Sequence, residues 1–337
     1  MKIFFKILII FFLSIGSLRA ETFPLLSEYN FFQDIKGQIP NEGVVPYHIA
    51  NPLFSDYTYK FRFVSMPDNS VASYNHEEVF DFPIGTTIIK TFAYPLDDRN
   101  LKKGFELLET RLLIHKEEGW VPVSYIWNDN QTDAEIRFIG KTIETSWIDK
   151  NGITQSVRYR VPNINQCKSC HQLNKVIKPI GPKGRNMNLD FLYKEGQKNQ
   201  LEYWESNQIL TNLPKRKISK PAIWDNESFS VSERARAYLD SNCAHCHRKG
   251  GSAGNSGFYL SLEQNNGVAL GIRKRPVAAG RGSGGMAYVI DPGNPEDSIL
   301  LYRMASTDPG VMMPELSRSL NHKEALPLIY DWIKEME

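Results

Sequence analysis

Tyr59-Lys60-Phe61-Arg62-Phe63-Val64 alternates aromatic rings with cationic side chains. This period of two predicts a β-strand with one apolar and one polar face. Aromatic and β-branched stretches of the same kind continue as far as Pro162, and they predict strands at residues 86–94, 107–115, 121–127, 134–139, 142–148 and 153–161. Turn signals such as Asn151-Gly152 separate these stretches, so residues 21–162 are expected to form an antiparallel sandwich or barrel-like module.

The second half of the chain has a helical pattern. Ser230 and Glu233 have capping-box spacing at the start of one amphipathic segment. Asn294-Pro295-Glu296-Asp297 is typical of a helix start, and a last helix is expected to begin or kink at Pro327. The predicted fold class is therefore α+β and multidomain. A β-rich N-terminal module at 21–162 is followed by an attachment segment and linker at 163–222 and by an all-α domain at 223–337.

All four cysteines lie in two Cys-x-x-Cys-His runs, Cys167-Lys168-Ser169-Cys170-His171 and Cys243-Ala244-His245-Cys246-His247, whose starts are 76 residues apart. In such a run two thiols can bond the two vinyl groups of one haem, while the adjacent imidazole reaches the iron. The sequence thus predicts two covalently bound haem c groups, one held by Cys167, Cys170 and His171 and one by Cys243, Cys246 and His247. The iron ligands from these runs are His171 and His247.

Two other uses of the cysteines compete with haem attachment. A Cys₄ zinc site leaves both histidines unexplained and requires the two pairs to meet across the chain. A thioredoxin-like redox pair requires a βαβ context that neither run has. His245, inside the second run, is expected to lie on the surface.

The sixth ligand of the second iron is expected in a loop well downstream of His247. Pro309-Gly310-Val311-Met312-Met313-Pro314 fits, and Met313 is the favoured thioether because the following proline fixes the chain direction beside it. Met312, or plain core packing of both, is the alternative. For the first iron the candidates are an open position or one of five side chains: Met187, His76, His115, His48 and Met66.

The N-terminus has the pattern of an export signal. Lys2 and Lys6 precede a short apolar run, and cleavage after Ala20 predicts a signal peptide at 1–20 and a periplasmic protein with no stable membrane span after cleavage. Cleavage removes Lys2, Lys6 and Arg19 and leaves 37 basic and 38 acidic residues. A chain so close to neutral is not expected to bind nucleic acid.

These motifs also resemble a known group. Residues 228–337 resemble a class I cytochrome c domain, with a helix into the second run, a Met-Pro loop and a C-terminal helix. The whole chain resembles a family of exported dihaem c-type cytochromes with a long β-rich N-terminal region. That resemblance rests on residues 51–57, 82–86, 90–94, 166–171 and 180–183.

The resemblance implies haem binding and single-electron transfer between redox partner proteins in the periplasm. We expect an electron carrier rather than an enzyme, because no His or acid lies at a recognisable position for proton transfer to peroxide. The alternative is a haem enzyme, peroxidase or oxidase-like, that uses an open first haem and takes electrons through the second. No catalytic Ser-His-Asp or paired-carboxylate pattern supports another chemistry.

Overall fold

The structure is a computed structural model that describes residues 22–76, 78–277 and 279–337. The predicted signal peptide at 1–20 lies outside these residues. Within them the fold is β-rich, and all but one of the strand pairs are antiparallel. No helix in this part of the chain has the length and apolar character needed to cross a bilayer.

The strands and helices are numbered in chain order. The strands are β1 (Phe32–Asp34), β2 (Ile39–Pro40), β3 (Val44–Pro46), β4 (Tyr59–Ser65), β5 (Ala72–Ser73), β6 (Thr87–Pro95), β7 (Phe105–Lys116), β8 (Gly119–Trp127), β9 (Ala134–Arg137), β10 (Lys141–Ile148), β11 (Thr154–Val161), β12 (Gln172–Leu173), β13 (Val176–Ile177), β14 (Asp190–Tyr193), β15 (Gly196–Asn199) and β16 (Leu210–Thr211). The α-helices are α1 (Ile164–His171), α2 (Gly184–Met187), α3 (Gln200–Ser206), α4 (Val231–Asn242), α5 (Gly267–Leu270), α6 (Ile299–Ala305) and α7 (Ala325–Lys334).

A six-stranded antiparallel sheet in the order β3-β4-β6-β7-β8-β9 organises the first half of the chain. Side chains alternate between its two faces. One face carries Phe63, Ile89, Leu112 and Val123 and packs against the N-terminal segment that contains Leu26. The strands predicted from alternation are confirmed, because β4, β6, β7, β8, β9, β10 and β11 all overlap them.

The other face of the sheet is also covered. At one end the β10–β11 hairpin packs Trp147 and Tyr159 against Phe92 and Ile126. At the other end Trp204 of α3 packs in one cluster with Val64, Ile88 and Leu113 of the sheet. Helix α1 packs between these regions, against β8. The second face is therefore interior, although its alternating cations are typical of a face exposed to solvent.

The prediction of an all-α cytochrome c domain at 223–337 is wrong. In this range the described α-helices are α4 to α7, of 12, 4, 7 and 10 residues, and turns, 3₁₀ segments and irregular chain join them. Isolated bridges link Ile272 to Ile290 and Tyr288 to Ser298. The physical reason is the spread of glycines in the left-handed region, for which other residues are poorly suited, at Gly250, Gly257, Gly271, Gly280, Gly284, Gly285 and Gly293.

The sequence signals for individual helices predicted the structure better than the assignment of an all-α domain did. Ser230 and Glu233 form the predicted capping box at the start of α4. Asn294-Pro295 begins only a 3₁₀ turn, and α6 starts later, at Ile299. Pro327 lies in the first turn of α7, where the missing amide proton costs no helical hydrogen bond.

The C-terminal region packs directly on the β-rich part. Asp56, 1% exposed, accepts hydrogen bonds of 2.8 Å from the backbone amides of Ser319 and Leu320. The ring of His322 stacks on Phe54 at 4.3 Å between centroids, and its Nδ1 lies 3.2 Å from the hydroxyl of Tyr238. Burial lowers the pKa of His322 to about 4, with Glu324 opposing this shift.

This buried imidazole predicts a pH-dependent stability. The pKa of His322 is about 4 in the folded chain against an ordinary 6.5, so between these values the unfolded chain binds the extra proton. Stability should therefore fall as the pH drops from about 6.5 to 4, by up to about 3 kcal/mol from this group. Urea unfolding of wild type and His322→Gln at pH 7 and pH 4 measures it.

The comparison between the two pH values separates protonation from packing. At pH 7 the difference in the free energy of unfolding between wild type and His322→Gln reports only the lost ring contacts. Between pH 7 and pH 4 the free energy of unfolding of the variant should fall markedly less than that of wild type. An equal loss in the two proteins would show that His322 does not cause the acid sensitivity.

Candidate functional site

Helix α1 carries the whole first Cys-x-x-Cys-His run. Asn163 caps it, with its side chain accepting from the amide of Gln166 and the Gln166 side chain accepting in return from the Asn163 amide. Sequence reasoning missed this helix, although the spacing of Asn163 and Gln166 is that of a capping box. Positions 167, 170 and 171 lie three and four residues apart, so Cys167, Cys170 and His171 share one face of the helix.

His171 is held in an orientation suited to a metal ligand. After the helix, the β12–β13 hairpin brings the chain back so that the Lys178 carbonyl lies 2.9 Å from Nδ1 of His171. A carbonyl at Nδ1 fixes the tautomer with the proton there and leaves Nε2 as the free electron-pair donor. Burial lowers the pKa of His171 to about 4, so the ring is neutral near pH 7.

The second run follows α4 as a compact turn. Cys243 ends the helix, and its carbonyl accepts hydrogen bonds from the amides of Cys246 and His247. Burial raises the pKa of the Cys243 thiol to about 12. Nδ1 of His247 is buried and has no hydrogen-bond partner among the described residues. Burial lowers the pKa of this histidine as well, with the charge of Cys246 and the backbone of Phe258 opposing the shift, so the His247 ring is neutral near pH 7.

The two runs lie side by side. Ligand atoms of Cys170, His245 and Cys246 all lie within 4.8 Å of one another, and Sγ of Cys246 is 3.9 Å from the Ser169 carbonyl. The expectation that His245 lies on the surface is wrong, since it is 7% exposed. It is buried because the first run packs directly against it.

The thiols of Cys170 and Cys246, which meet at this junction, have pKa values shifted in opposite directions. The hydrogen bond between the thiols lowers the pKa of Cys246 and raises that of Cys170, with the His245 ring also lowering that of Cys246. All four cysteines are free thiols in this structure, and a thiol with a lowered pKa converts more readily to the thiolate that binds a metal.

Further contacts hold the two runs together. The Asn174 amide donates to the Gly250 carbonyl at 2.8 Å. Gly250 has a φ of +78°, and a Cβ there would collide with the Asn174 side chain, so this close approach requires glycine. Arg185 of α2 forms a bidentate pair with Asp240 of α4, both bonds being 2.9 Å.

A cavity of about 290 Å³ opens between the sheet, α1 and the second run. Cys167, Cys170 and His171 line it, together with apolar side chains such as Ile49 and Leu113. Within the described part of the chain, six cations also line it. Lys183, Arg185 and Arg248 form ion pairs with the carboxylates that line it, Glu78, Asp240 and Glu263, whereas Arg62, Lys90 and Arg111 come from the central sheet. The first run therefore faces an enclosed and partly apolar space rather than bulk water.

The five distal candidates for the first iron do not line this cavity. Met187 is fully buried and packs in the same cluster as Trp204, so it serves as core. Met66 packs against that cluster as well. The three histidines have other partners: His115 stacks on Trp120, His48 lies against Phe191, and His76 contacts Arg216.

The methionine loop follows α6 and is held by one buried arginine. Arg318 is 3% exposed and donates to five backbone carbonyls, those of Arg303, Ser306, Met313, Pro314 and Leu320, at 2.8 to 3.2 Å. Met312 is buried and Met313 is half-buried. The positive charge of Arg318 also partly offsets the raised pKa of Cys243. The loop is thus fastened beside the second run.

The residues of the first run fit covalent haem attachment. Its two thiols and its imidazole share a helix face, and the imidazole is neutral with Nε2 free. In the second run the ring of His247 is buried and neutral, which is the form of imidazole that binds a metal.

The arginine clamp predicts a large loss of stability on substitution. Arg318→Met removes the donor that five carbonyls share, of which that of Arg303 still accepts from the Met313 amide, and it should lower the free energy of unfolding by about 2 to 4 kcal/mol. Arg281→Met is the matched control, because the Arg281 side chain is 68% exposed and within the described residues bonds only Asp308, so it should cost less than about 1 kcal/mol. Denaturant unfolding measures both, and similar costs would contradict the role of the clamp.

Comparison with known proteins adds no further identification. No family model matches the chain, and neither a curated protein nor a solved structure matches it. The resemblance to exported dihaem cytochromes therefore remains a prediction.

Proposed function

We propose that this chain is a periplasmic c-type cytochrome that carries two covalently bound haems and transfers single electrons between redox partner proteins. The observation that carries the proposal is the site around His171. Two thiols and a neutral, buried imidazole share one helix face, and a carbonyl at Nδ1 leaves Nε2 free beside a cavity. This arrangement supplies each of the three bonds that a haem c group requires.

Each residue has a role in holding the cofactor. Cys167 and Cys170 would anchor the first haem and Cys243 and Cys246 the second, with His171 and His247 as iron ligands. A bound haem supplies reversible one-electron oxidation and reduction of its iron. The protein excludes water through burial and keeps both imidazoles neutral, and the Lys178 carbonyl fixes the orientation of His171.

The contact between the two runs supports transfer between the two sites. Cys170 and Cys246, which would anchor different haems, lie within 4.8 Å of each other. Groups attached through these two sulfurs are neighbours whatever their orientation. An electron that enters at one site therefore has a short path to the other.

A haem enzyme is the second candidate, and the cavity favours it. The first run opens on space that none of the five distal candidates lines. Exposure of the reduced protein to carbon monoxide distinguishes the two functions. A carrier with both irons closed stays unreactive, whereas an enzyme with an open first haem binds carbon monoxide quickly.

The haem content is the first test of the proposal. Protein made with a c-type maturation system should retain two haems per chain after acid–acetone extraction, and Cys167→Ala/Cys170→Ala should retain one. The haemochrome absorbance per chain measures this. One haem in the unaltered protein would contradict the proposal, and so would no haem with one zinc held by Cys170, His245 and Cys246.

Met313 provides the second test. If its sulfur closes the second iron, Met313→Ala should abolish the sulfur-to-iron charge-transfer band and lower the potential of that haem. Met312→Ala is the matched control and should do neither. The band is followed in the Cys167→Ala/Cys170→Ala background, where the first haem cannot obscure it. An unchanged spectrum in Met313→Ala would remove this residue from the ligand set.

A further inference from the structure

Three cations lie next to one another in a single row across the central sheet. Arg62 of β4 is paired in register with Lys90 of β6, and Lys90 with Arg111 of β7. Like charges directly opposite each other on neighbouring strands destabilise a sheet. This cationic row (Arg62, Lys90, Arg111) also lies on an interior face, where burial increases the repulsion.

Among the described residues, only Glu109 forms an ion pair with this row, because the other carboxylates that line the cavity, Glu78, Asp240 and Glu263, pair with Lys183, Arg185 and Arg248. Glu109 is fully buried, and both of its oxygens bond Arg111, with the Tyr159 hydroxyl donating to it as well at 2.5 Å. Its negative charge is therefore taken up by Arg111. Two positive charges of the row remain to be accounted for.

Arg62 and Lys90 have no anionic partner among the described residues. The Arg62 guanidinium donates to the Lys60 carbonyl at 3.2 Å. The Lys90 ammonium lies 4.7 Å above the centre of the Phe92 ring. Burial and the neighbouring cations lower the pKa of Lys90 to about 7, and burial lowers that of Arg62 to about 10. Both lowered pKa values indicate that nearby negative charge does not fully offset these two cations.

The cationic row faces the first Cys-x-x-Cys-His run. All three of its residues line the cavity that also contains Cys167, Cys170 and His171. Lys90 and Arg111 are close enough to His171 to contribute to the lowered pKa of that histidine. The uncompensated positive charge of the row therefore faces the space beside His171, the proposed iron ligand.

We propose that Arg62, Lys90 and Arg111 form a binding site for an oxyanion group on the floor of this cavity. Neighbouring strands are about 4.8 Å apart, so two cationic heads from adjacent strands can flank one oxyanion. The guanidinium of Arg62 offers two parallel donors, the geometry that carboxylates and inorganic oxyanions match. A bound anion would also remove the repulsion within the row.

Two sources share this chemistry. One is a carboxylate of a haem held by His171, in which case the row fastens the cofactor of a carrier. The other is a small free anion that enters the cavity from solution, in which case the first haem faces an anionic substrate. The row itself exists without the haem, so anion binding can be measured separately from haem attachment.

The test is calorimetric titration of the full chain with sulfate in a buffer of low ionic strength. Lys90→Met should weaken sulfate binding by about tenfold or more, whereas Lys90→Arg keeps the charge and should stay within about threefold of wild type. Lys60→Met is the matched control. Lys60 lies on the same face one row away, but it donates to the Thr58 carbonyl and does not line the cavity.

Two forms of the chain distinguish the sources of the anion. Binding that depends on Lys90 in the two-haem protein supports a free anion. Binding that depends on Lys90 only in Cys167→Ala/Cys170→Ala supports a haem carboxylate as the natural occupant. No binding in either form, or an equal loss in Lys60→Met, would overturn the proposal. Haem content of the same samples is measured independently, so failure of the cytochrome assignment remains distinguishable.

Discussion

The packing of α1 against the turn that follows α4 is the constraint on which the rest of the site depends. It brings together two cysteine runs whose starts are 76 residues apart in the sequence. The Asn174–Gly250 hydrogen bond and the Arg185–Asp240 pair fix this contact. Because α1 also covers the second face of the sheet, the same packing encloses the cavity and buries its cations.

Burial at this junction determines the chemical state of its side chains. The imidazoles of His171 and His247 are neutral because a charged ring would be desolvated there. Neutral imidazole is the form that binds a metal. The sheet below the cavity has the opposite character, since Arg62 and Lys90 keep cationic groups where water is largely excluded. A site that excludes water, offers neutral imidazoles and carries uncompensated positive charge is suited to an anionic cofactor that contains a metal. It is also suited to an anion that binds next to such a cofactor.

Local sequence signals predicted much of the secondary structure. Alternation located the strands of the central sheet, and the Ser230–Glu233 capping box located α4. The capping pair Asn163–Gln166 was an equally local signal for α1 and could have been recognised. These elements were predictable because their causes lie within a few residues along the chain.

Features that depend on long-range packing were not predictable in the same way. Lys60 and Arg62 alternate with Phe61 and Phe63, which is typical of a solvent-exposed face, yet α1 and the β10–β11 hairpin cover that face. The sequence predicts a surface position for His245, because nothing in it places the other run against this residue. The all-α assignment failed because helix starts were visible, whereas the glycines that end the helical segments early carry less signal.

We propose that both cysteine runs form one dihaem site, and circular dichroism in the Soret region can test this proposal. Two haems anchored at neighbouring sulfurs should couple and give a split, two-signed band. This band should be absent from Cys167→Ala/Cys170→Ala and from Cys243→Ala/Cys246→Ala. A wild-type spectrum equal to the sum of these two single-haem spectra would show that the two sites do not hold neighbouring haems.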